Sequence, residues 1–310
     1  MKNVLEWLEA TVEKYPDKPA FSDTESSITF RQVYDIARNT GAYLIEQLGV
    51  DRTPVAVFAG RKMVTPAYFL GVVYAGRPYA PIDASLPDKR IEKILENLCP
   101  RAIVADRESL EHVESIVDEL EKSEGFDRPQ IFIAEDISRF EPVECADSNC
   151  KISESAGDAV TDSENDTDGG VVAGCAGKTD DSSRDMLAVV RRQMSMTDPL
   201  YIIYTSGSTG NPKGVMTSHL SLMTYINAYC DVMHIECDDV LGNQSPLDYI
   251  AAIRDIYLPL KTGCSTAIIP KEYFMEPNVL FDYMNEKRVS SVGWSVSAFT
   301  ILTSLGAFEE

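Results

Sequence analysis

The sequence predicts an α/β protein whose sheets are mainly parallel. Two observations carry this. Short apolar runs alternate with amphipathic stretches along most of the chain, at the spacing of repeated strand–helix units. At 310 residues with 44% hydrophobic content, the chain is also long and apolar enough to bury one large core or two fused ones. In order, Val4, Leu5, Leu8 and Val12 form a helical stripe over 3–14 that Pro16 ends. Ala20–Phe21 and Ile28–Phe30 read as a short hairpin around polar residues 23–27. Residues 31–48 form a helix with Val33, Ile36, Ala37, Tyr43, Leu44 and Leu48 inward and Gly49 as its stop. Strand 55–58, helix 63–75, strand 79–82, helix 87–98, strand 101–105, helix 108–122 and strand 130–134 continue the alternation. After the strand at 200–204 come Val215–Met216, helix 218–233, strand 239–242, helix 249–261 and strand 265–269. Helix 277–287, strand 289–292 and helix 296–304 complete it.

Residues 141–185 break the pattern. They hold twelve Asp or Glu against three Lys or Arg and almost no bulky apolar side chain, too little to offset the entropy of ordering. The chain therefore divides into a first α/β portion (1–140), an acidic insert or linker expected to be disordered (141–198) and a second α/β portion (199–310). Much of the formal charge of −21 sits in the insert. An overall field of that sign argues against nucleic acid or an anionic membrane as partner. No apolar run reaches membrane-spanning length, and Glu6 falls too early for a signal peptide. Seven cysteines without regular spacing suggest reduced thiols in a cytoplasm. Cys145, Cys150 and Cys175 have no CxxC pairing and no nearby histidine, so free thiols are expected there and no metal site.

The stretch with chemical content is 200–219. The run Leu200–Tyr204 reads as a buried strand that empties into Thr205, Ser206, Gly207, Ser208, Thr209 and Gly210, with Lys213 close behind. Such a loop has no bulky side chain to exclude an anion, its glycines let backbone N–H groups converge, and its hydroxyls and lysine add donors and charge. Pro212 before the lysine and Gly214 after it exclude a Walker loop. A GxGxxG dinucleotide turn is absent as well. On composition alone, a phosphate cradle and a polar surface turn remain balanced.

The segment YTSGSTGNPKGV (204–215) resembles the signature of the AMP-forming adenylating enzymes, which include acyl- and aryl-CoA synthetases and amino-acid adenylation domains. Val73–Asp83 with Leu86, Pro87 and Arg90, and Ile28–Val33, resemble two further segments of the same family. The likeness leans towards the amino-acid-activating members, including D-alanine–carrier-protein ligases. It implies a truncated N-terminal large domain of two α/β subdomains, ATP with Mg2+ as cofactor, a carboxylic or amino acid as substrate, and a carrier-protein or CoA thiol as acceptor. It places Thr205 through Gly210 around the phosphates and makes Lys213 the catalytic residue that neutralises leaving pyrophosphate. By the same likeness, 243–257 carries the acid. The aspartate that binds a substrate ammonium falls on Ile250 in an ungapped alignment, a departure from the family pattern. Asp248, two residues earlier, is either its substitute or a helix N-cap. Trp294 is either a wall of the acyl pocket or core, and His219 is either near the site or a helix cap.

The resembling enzymes continue beyond the point matching Glu310, with groups for adenine, ribose and a second lysine, so an N-terminal portion inactive alone is expected. An acyl- or aryl-CoA ligase, which needs no ammonium partner, and a binding module without catalysis are the alternative readings.

Overall fold

The structure, a computed structural model, describes residues 2–123, 125–140, 182–206 and 211–308. Helix α1 (Leu5–Lys14) is followed by the strands β1 (Pro19–Ser22) and β2 (Ser27–Thr29), which pair antiparallel. Thr29 then caps α2 (Phe30–Leu48) in a reciprocal box. Its hydroxyl accepts from the Gln32 N–H at 3.2 Å, and Gln32 Oε1 accepts from the Thr29 N–H at 2.9 Å. Gly49, at φ 70°, ends α2 where a side chain would be strained. The order continues β3 (Val55–Phe58), α3 (Thr65–Tyr74), β4 (Tyr79–Ile82), α4 (Asp88–Leu98), β5 (Ala102–Ala105), α5 (Leu110–Glu121), β6 (Gln130–Ile133) and the single turn α6 (Ala134–Ile137).

Helix α7 (Ser182–Gln193) precedes β7 (Pro199–Ser206) and β8 (Pro212–Ser218). Helix α8 (His219–Met233), β9 (Val240–Asn243), α9 (Ala252–Thr262) and β10 (Ser265–Ile268) follow. A 3-10 turn (Lys271–Met275), α10 (Pro277–Glu286), β11 (Ser291–Val292) and α11 (Val296–Ser304) close the order.

The expected α/β class holds. Among the described residues, one sheet runs β11-β9-β10-β1-β2 and the other β6-β5-β3-β4-β7-β8. Only β2 and β8, each at a sheet edge, pair antiparallel with their neighbours. Each sheet draws strands from both sides of the acidic segment, because β1 pairs with β10 and β4 with β7. Residues 141–181, and with them most of the expected disordered insert, lie outside the described residues. The rest differs from expectation: α7 buries Leu187 and Val190, and Met194 just after it, against the core. Three apolar residues at helical spacing suffice to anchor it, and they lie just beyond the acidic run 141–185 that dominates the composition.

Every residue of α3 is buried, as a helix apolar on all sides must be. It meets α2 through glycines, since a Cβ on Gly71 would lie 2.5 Å from Thr40 and one on Gly41 2.5 Å from Tyr74. The two sheets are also tied by polar contacts. Tyr79 of β4 and Tyr257 of α9, both fully buried, share a 3.0 Å hydrogen bond between their hydroxyls. At the start of β4, the buried Arg77 pairs with Asp51 and donates to the Leu48, Thr53 and Gly49 carbonyls, taking up acceptors that the end of α2 leaves open.

Candidate functional site

The apolar segment 199–206 forms β7 because it can be buried from Leu200 to Ile203. Beyond Tyr204 it emerges into solvent and returns as β8, with Thr205 opposite Lys213 and Ser206 opposite Pro212. Directly opposed residues of an antiparallel pair share one face, so the Thr205 hydroxyl and the Lys213 chain project together. Both are exposed, and the Thr205 Oγ1 lies 3.4 Å from the Lys213 carbonyl. Among the described residues, Lys213 forms no ion pair. Gly207, Ser208, Thr209 and Gly210 lie outside the described residues. Helix α4 steadies the hairpin from the side, Lys93 Nζ donating to Asn211 at 3.2 Å and the Tyr204 hydroxyl donating to Asn97 at 2.9 Å. Gly214 lets the Ile202 and Tyr204 side chains close over β8, since a Cβ there would meet them at 2.8 and 3.1 Å.

The parallel pairing of Tyr79 with Tyr201, continued along both strands, brings the end of β4 and Asp83 after it level with Thr205. Asp248 meets this end of the sheet from the turn after β9. Burial, together with the neighbouring Asp83 charge, holds its carboxyl above the usual aspartate range. Arg61, Asp83, Leu247 and Asp248 help line a small cavity of about 30 Å³, room enough for a water or a group of that size. Helix α9 begins at Ala252 with Ala251 as its cap residue, so Asp248 is not the helix N-cap. The helix starts later than its apolar periodicity suggests because residues 247–251 form turns instead. Ile250, at the expected ammonium-binding position, is about half exposed (49%).

Trp294 is packed against its neighbours on one side and open on the other. Its indole N–H donates to the Gly242 carbonyl at 2.9 Å and its ring meets Phe274 edge-on, yet it stays partly exposed beside Phe299. His219 is not the helix cap. Ser218 caps α8, while His219 is buried (1% exposed) with Nδ1 facing the Val4 N–H at 3.5 Å. Burial holds its pKa down to about 4.

A buried polar chain escapes sequence reasoning altogether. Arg61, in the loop after β3, donates to the Asn243 side chain at 3.0 Å. Asn243 donates to Asp255 at 3.0 Å, and Arg254 donates to the other Asp255 oxygen at 2.7 Å. Arg254 Nη2 then reaches the Gly293 carbonyl at 3.1 Å. The chain runs from one sheet's loops to the segment before α11. The only signal in the sequence is that an Arg–Asp pair interrupts the apolar face of α9; the Asn and Gly partners carry no pattern that marks them.

The model of the AMP-binding enzyme family matches residues 8–310. A D-alanine–D-alanyl carrier protein ligase of Bacillus licheniformis is 26% identical over 284 residues, which are 90% of this chain and 46% of that protein. The chain thus spans about half the length of the curated relatives it matches. Among solved structures, the inhibitor-bound N-terminal domain of FACL13 from Mycobacterium tuberculosis is similar with a TM-score of 0.71 at 18% identity, covering all of this chain and 67% of that one. The four-domain nonribosomal peptide synthetase AB3403, bound to AMP and glycine, gives a TM-score of 0.69 at 19% identity over 97% of this chain and 18% of that one. At these identities the structural likeness concerns the fold. Among the described residues, no helix is long and apolar enough to cross a membrane.

Proposed function

This chain belongs to the AMP-binding enzyme family, and from that premise we propose that it is the phosphate-binding and acid-positioning part of an ATP-dependent ligase. In this reading the enzyme activates a carboxylic acid, an amino acid in particular, as its acyl-AMP. A carboxylate oxygen attacks the α-phosphorus of ATP, the bond from that phosphorus to the bridging oxygen breaks, and pyrophosphate leaves with its Mg2+. A carrier-protein thiol then attacks the acyl carbon, the bond from that carbon to the phosphate oxygen breaks, AMP leaves and the thiol proton is lost, in a cytosolic setting where free cysteines such as Cys99 and Cys230 stay reduced.

The observation that carries the reading is Lys213, without an ion-pair partner among the described residues, opposite Thr205 where β7 and β8 leave the sheet. Hydroxyl and ammonium there present donors and charge to one face, the complement of a polyphosphate. Little covalent chemistry is required of the protein, since positioning and charge neutralisation supply most of the rate. Ser206 and residues 207–210 are assigned to the same cradle. Asp248 is assigned to the substrate ammonium, supported by its carboxylate lining a cavity of about 30 Å³ beside the level of Thr205. Trp294 is assigned to the wall of the acyl pocket. Ile250 favours one second reading, an acyl- or aryl-CoA ligase whose substrate has no ammonium.

Acid-dependent ATP–pyrophosphate exchange on the full-length gene product tests this, across small amino acids of both hands and plain carboxylic acids. Exchange with an amino acid is expected, and Lys213→Ala should lower it by about 10²-fold or more. Exchange with plain acids alone would move the enzyme to the CoA-ligase branch. Silence across the panel with ATP still bound would leave a binding module without catalysis and end the proposal.

A further inference from the structure

Beyond Tyr204 the β7–β8 hairpin leaves the sheet with little to hold it. Among the described residues β7 pairs with β4 at Tyr79–Tyr201 alone, and β8 is an edge strand. The last pair before the turn sets Ser206 opposite Pro212, and a proline has no N–H to give the ladder. A two-stranded ribbon without a flanking strand is marginal in water. What the ladder lacks, α4 supplies. Its Ile91, Ile94, Leu95 and Leu98 are buried against the sheet, so the helix is a fixed body. Lys93 and Asn97, four residues apart and hence on one face, reach the hairpin on either side of its turn. Asn97 Oδ1 accepts from the Tyr204 hydroxyl on β7 at 2.9 Å, and Lys93 Nζ donates to Asn211 Oδ1 just before β8 at 3.2 Å. The Tyr204 ring also covers Gly214 of the opposite strand, where a Cβ would lie 3.1 Å from it. One tyrosine thus joins β7, β8 and α4.

We propose that Lys93 and Asn97 are positioning residues for ATP, which raise the fraction of molecules whose hairpin is already set to receive the polyphosphate. This rests on the adenylation reading and adds to it two residues that touch no substrate. When only a fraction of the molecules is competent, the apparent dissociation constant is the intrinsic one divided by that fraction. Bound ATP then holds the hairpin itself, so the loss of a tether shows in KM for ATP and leaves kcat. Lys93 acts through Asn211, not as a charge on the phosphates.

The test measures KM for ATP in pyrophosphate exchange by the full-length protein, with equilibrium binding of Mg2+–ATP alongside. Tyr204→Phe removes one oxygen and keeps the ring over Gly214. It and Asn97→Ala should each weaken ATP about threefold, and together no more than either alone, because both break one bond. Lys93→Met and Asn211→Ala should behave as a second such pair, with Lys93→Arg close to the parent. Asn97→Ala combined with Lys93→Met should reach about tenfold. KM for the acid and kcat should stay within about twofold of the parent throughout. Unchanged ATP affinity, or additive effects within either pair, would overturn the proposal. So would Lys93→Met weakening ATP while Asn211→Ala does not, since the lysine would then act on the phosphates directly. An equal rise in KM for the acid would overturn it too, as the mark of a general loosening. Tyr204→Phe scarcely disturbs packing, so the comparison survives if Asn97→Ala folds poorly. Silence in exchange with ATP still bound would instead overturn the adenylation reading, and the binding constants would still decide on the tethers.

Discussion

Asp248 sits in a place that resists ionisation. Burial and the Asp83 charge raise its carboxyl above the value it has in the unfolded chain. A raised folded pKa means that the native state favours the proton. The associated stability is present at low pH and is lost as pH climbs through the folded value. Asp248→Asn removes that penalty. At neutral pH the variant should melt at a higher temperature than the parent, and the gain should vanish below the ordinary aspartate value of about 3.9. The same variant should exchange pyrophosphate poorly with any amino acid that the parent activates. Paired melting and exchange assays separate the outcomes. A variant that loses stability at neutral pH would mean that the carboxylate is stabilised there by more than its burial costs.

At the scale of elements, α2 and α3 approach each other until Gly41 and Gly71 touch the opposite helix. Alanine favours a helix over glycine by about 1 kcal/mol, so an exposed glycine would be improved by that change. Here the neighbour of Gly71 is the branched Cβ of Thr40, which has no rotamer to yield. Gly71→Ala should therefore destabilise by about 1–3 kcal/mol, read as a lower urea midpoint with an unchanged slope. Much of this layer was legible from the chain. Runs such as Val55–Phe58 and the amphipathic stripe of α4 lie within a few residues of where they are expected, because local periodicity encodes which face is buried. Strand β8 was largely hidden, since four of its seven residues are exposed and no alternation marks it. So was the order of strands, because parallel pairing joins residues far apart and leaves no local trace. The candidate site divides in the same way. The hydroxyls and Lys213 stand in one contiguous stretch and are readable as such, whereas Arg61, Asn243, Asp255, Arg254 and Gly293 meet only once both sheets are formed.

For the whole molecule, the interleaved sheets make the two portions mutually dependent. Residues 1–140 contain β1 and β2 without β9–β11, and β3–β6 without β7 and β8. Expressed separately, 1–140 and 182–310 should each fail to unfold cooperatively, and co-expressed they should copurify and melt in one transition. Independent melting of either piece would show that one sheet needs nothing from the other portion. The hydrogen bond of Lys18 to the Gly263 carbonyl bridges 245 residues of chain, and β1 cannot meet β10 any sooner than that bond can form. At a ribosomal rate of about 5–20 residues per second, the β1–β2 hairpin waits roughly 12–50 s with an open edge before its parallel neighbour has been made. During that interval the nascent chain carries an unsatisfied strand outside the exit tunnel. The N-terminal hairpin is accordingly the part of this protein with most need of a ribosome-associated chaperone.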